Sequence, residues 1–158
     1  MRLSTRGRYG MRAMVDLATV GGEAPVSLKD ISKRQSISVD YLEQLLRRLR
    51  KAGLVRSVRG PHGGFLLARE PGQITLWEIL VALERDITPV YCVDEEVLLR
   101  GGRKTCARAA DCPTHALWAG LARQMRVFLE ANTLQDLVGS SLKIHGQSVD
   151  GKPVMFHI

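Results

Sequence analysis

The sequence predicts a mainly α-helical fold with a small β-hairpin wing, the arrangement of a winged helix-turn-helix domain. Three capped amphipathic segments come first, and two short apolar runs then bracket a turn rich in glycine and proline. An apolar stripe after Pro113 predicts one more, longer helix. We expect the winged domain over residues 1–72, a linker helix, a cysteine-bearing loop and the long helix over 73–138, and a flexible tail over 139–158.

Each of the first three helices is predicted to start at a capping residue. Residues 4–20 begin at Ser4, and the second helix begins at Ser27, where Asp30 can complete the cap. The third helix is predicted over residues 38–52, and its leucines recur at i, i+3, i+4 and i+7 on one face. These leucines are Leu42, Leu45, Leu46 and Leu49.

The wing is predicted from residues 54–58 and 65–67, two short apolar runs. Residues 59–64 between them are Arg-Gly-Pro-His-Gly-Gly, a composition typical of a tight turn. Further along the chain, Thr75 and Thr133 each predict a helix start through a capping residue, and the long helix is predicted over residues 114–131.

The positive charge is concentrated in the first half of the chain. Residues 1–72 contain 14 Lys and Arg against 6 Asp and Glu, whereas the other residues contain 9 against 10. An excess of cations within a helix-turn-helix domain indicates a polyanionic partner. Charge alone does not separate DNA from RNA or from a membrane surface.

Other classes of protein are disfavoured by what the sequence lacks. No apolar run is long enough to span a bilayer, and no signal-peptide pattern opens the chain, so we expect a cytoplasmic protein. A nucleotide-binding loop, an acid–base pair and an open catalytic metal motif are also missing from the sequence. We therefore do not expect an enzyme.

A helix that reads a duplex leaves polar side chains free beside its buried stripe. On the third helix these are Ser38, Asp40, Tyr41, Glu43 and Gln44. Their chemistry suits DNA, because amides pair with adenine, carboxylates accept from cytosine and a phenol can hold a phosphate. Further candidates for backbone contacts are Arg47, Arg59, His62 and Tyr9. The competing interpretation of Glu43 and Arg47 is a surface salt bridge at i, i+4.

All three cysteines lie close to one histidine. Cys92, Cys106, Cys112 and His115 fall within 24 residues, and the chain contains no other cysteine. Cys112 and His115 stand at the start of the predicted long helix, where a helix N-terminus favours a thiolate. Three cysteines and a histidine satisfy tetrahedral zinc and also an iron–sulfur cluster.

The residues alone leave four interpretations of these cysteines open. They are a metal centre, a reversible disulfide switch, a purely structural loop and a catalytic cysteine. The metal centre is favoured because core cysteines would be scattered along the chain. A catalytic cysteine is least favoured, because no general base or oxyanion arrangement is evident beyond His115.

Four stretches of the sequence together resemble one family of bacterial regulators. They are MRLSTRGRY at the start, ISVDYLEQL in the third helix, VRGPHGG in the wing, and CPTHALW before and within the long helix. The combination closely resembles the Rrf2 family over residues 1–138. The resemblance implies a regulator of transcription, acting as a repressor or a dual regulator, that binds an imperfect DNA palindrome as a homodimer.

The resemblance also implies roles for particular residues. The long helix would be the dimerisation helix, with Leu117, Leu121, Met125 and Phe128 at the interface. The DNA surface would include Ser38, Tyr41, Glu43, Gln44, Arg59 and Pro61. In the nearest subgroup of the family, three cysteines and a histidine hold a 2Fe–2S cluster that reports redox, iron or nitric oxide status. The corresponding ligands would be Cys92, Cys106, Cys112 and His115.

The cysteine loop departs from the pattern of the family in one respect. Thirteen residues separate Cys92 from Cys106, whereas the family usually places its first two cysteines closer together. The insertion changes the geometry of the loop. A 4Fe–4S cluster, zinc, or a different fourth ligand in place of Cys92 therefore stays open.

Overall fold

The computed structural model describes residues 4–22, 24–84, 87–93, 106, 111–139, 143–144 and 147–148. The described elements are, in chain order, helices α1 (Thr5–Val20), α2 (Leu28–Gln35) and α3 (Val39–Lys51), strands β1 (Val55–Val58) and β2 (Gly64–Leu67), a 3-10 turn (Pro71–Gln73), helix α4 (Leu76–Leu83), a second 3-10 turn (Tyr91–Val93), helices α5 (His115–Ala131) and α6 (Leu134–Val138), and strands β3 (Lys143–Ile144) and β4 (Gln147–Ser148). The predicted fold, mainly α with a β-hairpin wing, is confirmed.

The helices begin where the capping residues place them. The Ser4 hydroxyl accepts a hydrogen bond from the Arg6 N–H at 3.1 Å, and the Ser27 hydroxyl accepts one from the Asp30 N–H at 3.2 Å. At the start of α4 both halves of a capping box form with Thr75, and at α6 both form with Thr133. Each cap gives a partner to N–H groups that the first turn of a helix leaves free.

The wing is an antiparallel hairpin that is joined to a third segment of backbone. Val55 pairs with Leu67 at its base, and Val58 pairs with Gly64 near its tip. Beside it, the N–H groups of Val26 and Phe65 each donate to the carbonyl of the other at 2.9 Å. A Cβ at Gly64 would collide with the Val26 carbonyl, and this close approach requires glycine.

The winged domain shares its core with helix α4, and this core lies among α1, α3 and α4. All four leucines of the predicted stripe on α3 are at most 1% exposed, which confirms that stripe. They pack with Met14 and Leu17 of α1, Ile79 and Leu83 of α4, and Leu134 of α6. Leu134 is the first residue of α6, so the segment that follows the long helix α5 packs on this core.

Helix α5 is attached at its C-terminal end to the segment that begins α4. There the Leu76 N–H donates to the Asn132 carbonyl at 2.9 Å, and the Leu134 N–H donates to the Ile74 carbonyl at 2.8 Å. In the part of the chain that the structure describes, none of the residues of α5 is buried. The helix is therefore hydrogen-bonded to the rest of the chain at its C-terminal end, and much of its surface stays exposed.

The segment predicted as a flexible tail contains a two-stranded pairing, Lys143 with Ser148 and Ile144 with Gln147. Its other residues beyond Gly139 lie outside the described part, and its flexibility stays a prediction. The described helices include none with the length and apolar character needed to cross a membrane.

Candidate nucleic-acid interface and metal centre

Helices α2 and α3 form a helix-turn-helix with a left-handed residue at the turn. Ser36 has φ 53° and ψ 45°. Helix α3 buries its leucines and exposes the opposite face. The predicted reading residues on that face are Ser38, Asp40, Glu43, Gln44 and Arg47, and all five are exposed. The structure thus brings these polar side chains onto one accessible surface.

Ser38 occupies the N-cap position of α3 but leaves its hydroxyl uncommitted to the helix. Within the described residues, its side chain makes no capping hydrogen bond. The four serine and threonine caps described above do make one. A hydroxyl at a helix N-terminus that does not cap its own helix can donate to a phosphate.

The salt bridge between Glu43 and Arg47 forms, with 3.0 Å between Arg47 Nη2 and Glu43 Oε1. The side chains are 51% and 69% exposed, respectively. An exposed pair at i, i+4 is worth less than about 1 kcal/mol, so either group can exchange its partner for DNA at little cost. The surface-pair interpretation is therefore correct for the free chain, and it leaves a DNA role open.

Tyr41 differs from its neighbours because its ring is half-buried. It stands edge-to-face against Tyr9 of α1, with 6.1 Å between the ring centroids and an interplanar angle of 83°. The guanidinium of Arg12 lies over the Tyr9 ring, 5.5 Å from its centroid. Sequence reasoning missed Arg12, although its spacing of three residues from Tyr9 puts both on one face of α1.

The tip of the wing presents Arg59, Pro61 and His62 to solvent. Gly60 has φ +124°, and its carbonyl accepts from the Gly63 N–H at 2.9 Å, which closes the turn. Arg56 of β1 is also exposed. These exposed cations are therefore carried by a hairpin whose first strand contacts α3.

The four predicted metal ligands lie at three places in the described chain. Cys92 is in the second 3-10 turn, Cys106 is described as a single residue, and Cys112 precedes His115 at the start of α5. Among the described residues, no group of three or more His, Cys, Asp or Glu side chains stands close enough to hold a metal ion. The structure thus brings these four residues only partly together.

Cys106 lies beside Tyr91. The side-chain hydrogen bond with Cys106 and the electrostatic interaction with Cys106 raise the pKa of Tyr91, and burial and the electrostatic interaction with Cys92 raise it further. Two of the three predicted thiol ligands thus act on the same phenol. This region also packs against α5.

Cys112 is placed so that its thiolate is stabilised. Its Sγ lies 3.3 Å from the hydroxyl oxygen of Thr114. Hydrogen bonds from that hydroxyl and from the N–H groups of Thr114 and His115 lower the pKa of the Cys112 thiol. The thiolate is the form of cysteine that binds a metal.

The predicted dimer face of α5 is apolar and open. Leu117 is 63% exposed and Leu121 is 44% exposed, while Met125 and Phe128 are half-buried. Single exposed apolar residues are common, but two large ones in successive turns of one helix are characteristic of a contact surface.

Comparison with known proteins agrees with this arrangement. Residues 3–140 match the family model of Rrf2, described as an iron-dependent transcriptional regulator. The chain is 45% identical over 138 residues to the HTH-type transcriptional regulator IscR of Xenorhabdus nematophila, covering 87% of this chain and 79% of the relative.

Solved structures are similar over nearly the same length. CymR, the global cysteine regulator of B. subtilis, matches with a TM-score of 0.69 and 39% identity, covering 89% of this chain and 98% of CymR. T. potens IscR matches with a TM-score of 0.68 and 38% identity, covering 89% of this chain and 88% of that protein. Proteins of this kind are regulators and not enzymes. The chain is a DNA-binding transcription regulator that belongs to the Rrf2 family.

Proposed function

We propose that the chain is a cytoplasmic, homodimeric repressor whose binding to a palindromic operator is controlled by an iron–sulfur cluster. The observation that carries the DNA part is the exposed polar face of α3 next to the exposed cations of the wing. The cluster is of the 2Fe–2S type and reports redox, iron or nitric oxide status. The proposal assigns residues 1–72 to DNA binding and 73–138 to sensing and dimerisation.

Two kinds of contact with DNA follow from the positions of the side chains. Gln44 and Glu43, on the exposed face of α3, suit adenine and cytosine edges in the major groove. Arg59 and His62 of the wing, Arg47 of α3 and the Ser38 hydroxyl suit phosphates. Asp40 lies in the first turn of α3, and Pro61 lies in the turn at the tip of the wing. Tyr41 and Tyr9 present phenols at the start of the same surface.

The donor set suits an iron–sulfur cluster. Three thiols and an imidazole are its usual ligand types, and the lowered pKa of Cys112 favours the metal-binding thiolate. We assign Cys92, Cys106, Cys112 and His115 as the residues that would hold it. When bound, such a cluster supplies a centre whose charge and integrity depend on oxidants and on iron supply.

Helix α5 provides the physical route from these residues to DNA. His115 is its first residue, and a helix of 17 residues is about 25 Å long. At its far end, Asn132 and Leu134 are hydrogen-bonded to the segment that starts α4. Arg126 lies over the ring of Trp77, 5.4 Å from its centroid. A tilt of α5 at its N-terminus is therefore passed to the winged domain.

The exposed apolar face of α5 supports dimerisation. Two copies that pair through Leu117, Leu121, Met125 and Phe128 would place two α3 helices on one duplex. Such helices read half-sites about one helical turn apart, so a change in the tilt of α5 alters their spacing and hence operator affinity.

The DNA part is tested by selecting bound duplexes from a random library with the full chain. We expect an imperfect palindrome, and we expect Gln44→Ala to relax base preference at one position of each half-site. Gln73→Ala, at an exposed glutamine in the first 3-10 turn, is the control and should leave the selected sequence unchanged. Failure to enrich any sequence would overturn the proposal in favour of an interaction protein that binds no specific duplex.

The metal part is tested by anaerobic purification, visible absorption, and iron and sulfide analysis. We expect a coloured protein with iron and sulfide in equal amounts, and we expect loss of both in His115→Ala but not in His62→Ala. A colourless protein with one zinc per chain, or a metal-free protein with a reversible disulfide, would rule out the cluster. An iron content near four per chain would replace the 2Fe–2S assignment with 4Fe–4S.

A further inference from the structure

A buried carboxylate ties α1 to the end of α2. Asp16 is 4% exposed, and its two carboxylate oxygens accept hydrogen bonds from Arg34 Nε at 3.0 Å and Arg34 Nη2 at 2.7 Å. The side-chain amide of Gln35 donates to the same carboxylate at 2.9 Å. Gln35 is the last residue of α2, so this cluster fixes the helix at the point where the turn begins.

Arg12, one turn before Asp16 on α1, also binds Gln35. Its Nε donates to the side-chain oxygen of Gln35 at 3.2 Å, and its Nη2 donates to the main-chain carbonyl of Gln35. The left-handed residue Ser36 follows directly. The guanidinium of Arg12 is therefore bound to both the side chain and the backbone of the helix-turn-helix junction.

The same guanidinium also reaches toward the reading helix. It lies over the ring of Tyr9, which in turn packs edge-to-face on Tyr41, the third residue of α3. A continuous set of contacts thus joins Asp16, Gln35, Arg12, Tyr9 and Tyr41. It links the middle of α1, the turn and the start of α3.

We propose that Arg12 is a positioning residue that sets the sequence specificity of DNA binding by fixing the turn and the first turn of α3. The inference rests on the proposed role of α3 as the reading helix. Side chains that recognise bases must be held within about 0.5 Å of their working positions, and this is achieved by supporting contacts behind them. Arg12 is half-buried, and its hydrogen bonds and ring contact point into the protein.

A direct phosphate contact by Arg12 is the other role that its charge suggests. The two roles differ in whether a lysine at position 12 can take the place of the arginine. A lysine keeps the charge for a phosphate, but it has neither the planar fork that binds Gln35 at two atoms nor the flat face that lies on Tyr9. They differ also in salt dependence, because losing a phosphate contact lowers the slope of log affinity against log salt concentration by about 1.

The test compares Arg12→Lys and Arg12→Ala in the full chain, with Arg8→Lys and Arg8→Ala as controls on an exposed arginine of the same helix. Affinity is measured for the duplex selected by the wild-type chain and for a scrambled duplex of equal length, over a range of salt concentrations. For both Arg12 variants we expect the ratio of specific to scrambled affinity to fall by about tenfold, the size of one mismatched base pair, at an unchanged salt slope. The Arg8 variants should leave the ratio unchanged.

Recovery of wild-type binding in Arg12→Lys, or an unchanged ratio in both Arg12 variants, would overturn the proposal. Gln35→Met removes the side-chain amide alone, and it should reproduce the loss of specificity if an Arg12 variant fails to fold. Gln44→Ala distinguishes a failure of the positioning role of Arg12 from a failure of α3 as the reading helix. If Gln44→Ala changes base preference and the Arg12 variants do not, the positioning role is wrong and the reading helix stands; if Gln44→Ala changes nothing, the assignment of α3 is itself wrong.

Discussion

Glu84 reaches across the winged domain to Gly7, and its Oε1 accepts the Gly7 N–H at 3.0 Å. The same oxygen accepts the N–H and the hydroxyl of Ser4, at 3.1 and 2.7 Å. A carboxylate that follows α4 thus accepts hydrogen bonds from free N–H groups at the start of α1. Its negative charge also interacts favourably with the positive end of the helix dipole there.

A side chain at Gly7 would occupy the space of this carboxylate. A Cβ there would meet Glu84 Oε1 far inside contact distance, so we expect Gly7→Ala to lower the free energy of unfolding by about 1–3 kcal/mol. Gly120→Ala in α5 is the matched control, because its Cβ would have no described atom within 4 Å. That change should raise stability by up to about 1 kcal/mol through helix propensity. Denaturant unfolding measures both, and equal effects would contradict the role of Glu84.

The ion pair of Asp16 predicts a dependence of stability on pH. Burial raises the pKa of Asp16, but hydrogen bonds from Arg34 and Gln35 and the charge of Arg34 outweigh it and leave the pKa lowered. A lowered folded pKa stabilises the fold above the unfolded value, near 4, and this contribution disappears as pH falls through the folded pKa.

We therefore expect Asp16→Asn to lower the free energy of unfolding at pH 7 by about 1–3 kcal/mol, limited by the partial exposure of Arg34. The difference from wild type should shrink below about pH 4. Glu70→Gln, at an exposed carboxylate, is the control. A difference that stays constant down to pH 2 would contradict the assignment.

Two capping positions should respond differently to alanine. Thr75 makes both bonds of its capping box, so Thr75→Ala should cost about 0.5–2 kcal/mol of stability with little effect on DNA affinity. Ser38→Ala should cost less than about 0.5 kcal/mol, because its hydroxyl makes no cap within the described residues, yet it should weaken operator binding. Thermal unfolding and fluorescence anisotropy distinguish the two, and a large stability loss in Ser38→Ala would argue for a structural role.

Arg59 at the wing tip should act through phosphate. For Arg59→Ala we expect weaker binding to specific and scrambled duplexes alike, and a salt slope reduced by about 1. Arg123→Ala, at an exposed position of α5, is the control and should bind as wild type does. Unchanged affinity and slope in Arg59→Ala would remove the wing from the interface.

A charge in the apolar face of α5 should separate the proposed dimer. We expect Leu121→Glu to sediment as a monomer and to lose operator affinity, because a buried unpaired carboxylate is costly at an interface. Val20→Glu is the control, since Val20 is 52% exposed at the end of α1. A Leu121→Glu protein that remained dimeric would place the interface elsewhere.

Local signals explain most of what the sequence predicted about the fold. Ser27 and Thr75 fix helix starts through bonds that span three residues, and the leucine spacing of α3 fixes which face is buried. The bridge between Val26 and Phe65 and the hydrogen bond from Gly7 to Glu84 join distant parts of the chain. Neither leaves a periodic pattern, although a glycine inside the amphipathic helix α1 is a sign of close packing.

The candidate site was predictable to a similar degree. The exposure of Gln44 and Glu43 follows from their positions opposite the buried leucines. The half-burial of Tyr41 depends on Tyr9 of another helix, and the support by Arg12 depends on a carbonyl at the end of α2, so neither follows from α3 alone. The gathering of Cys92, Cys106, Cys112 and His115 remains a prediction from residue types and spacing.

The backbone bridge between Val26 and Phe65 has a mechanical consequence. It joins the wing to the segment that begins α2, so the wing and the helix-turn-helix move together as one rigid DNA-binding unit. Bending the hairpin by itself would break two main-chain hydrogen bonds. In the proposed dimer, a signal would therefore change the distance and angle between two whole DNA-binding units, while the shape of each unit stays the same.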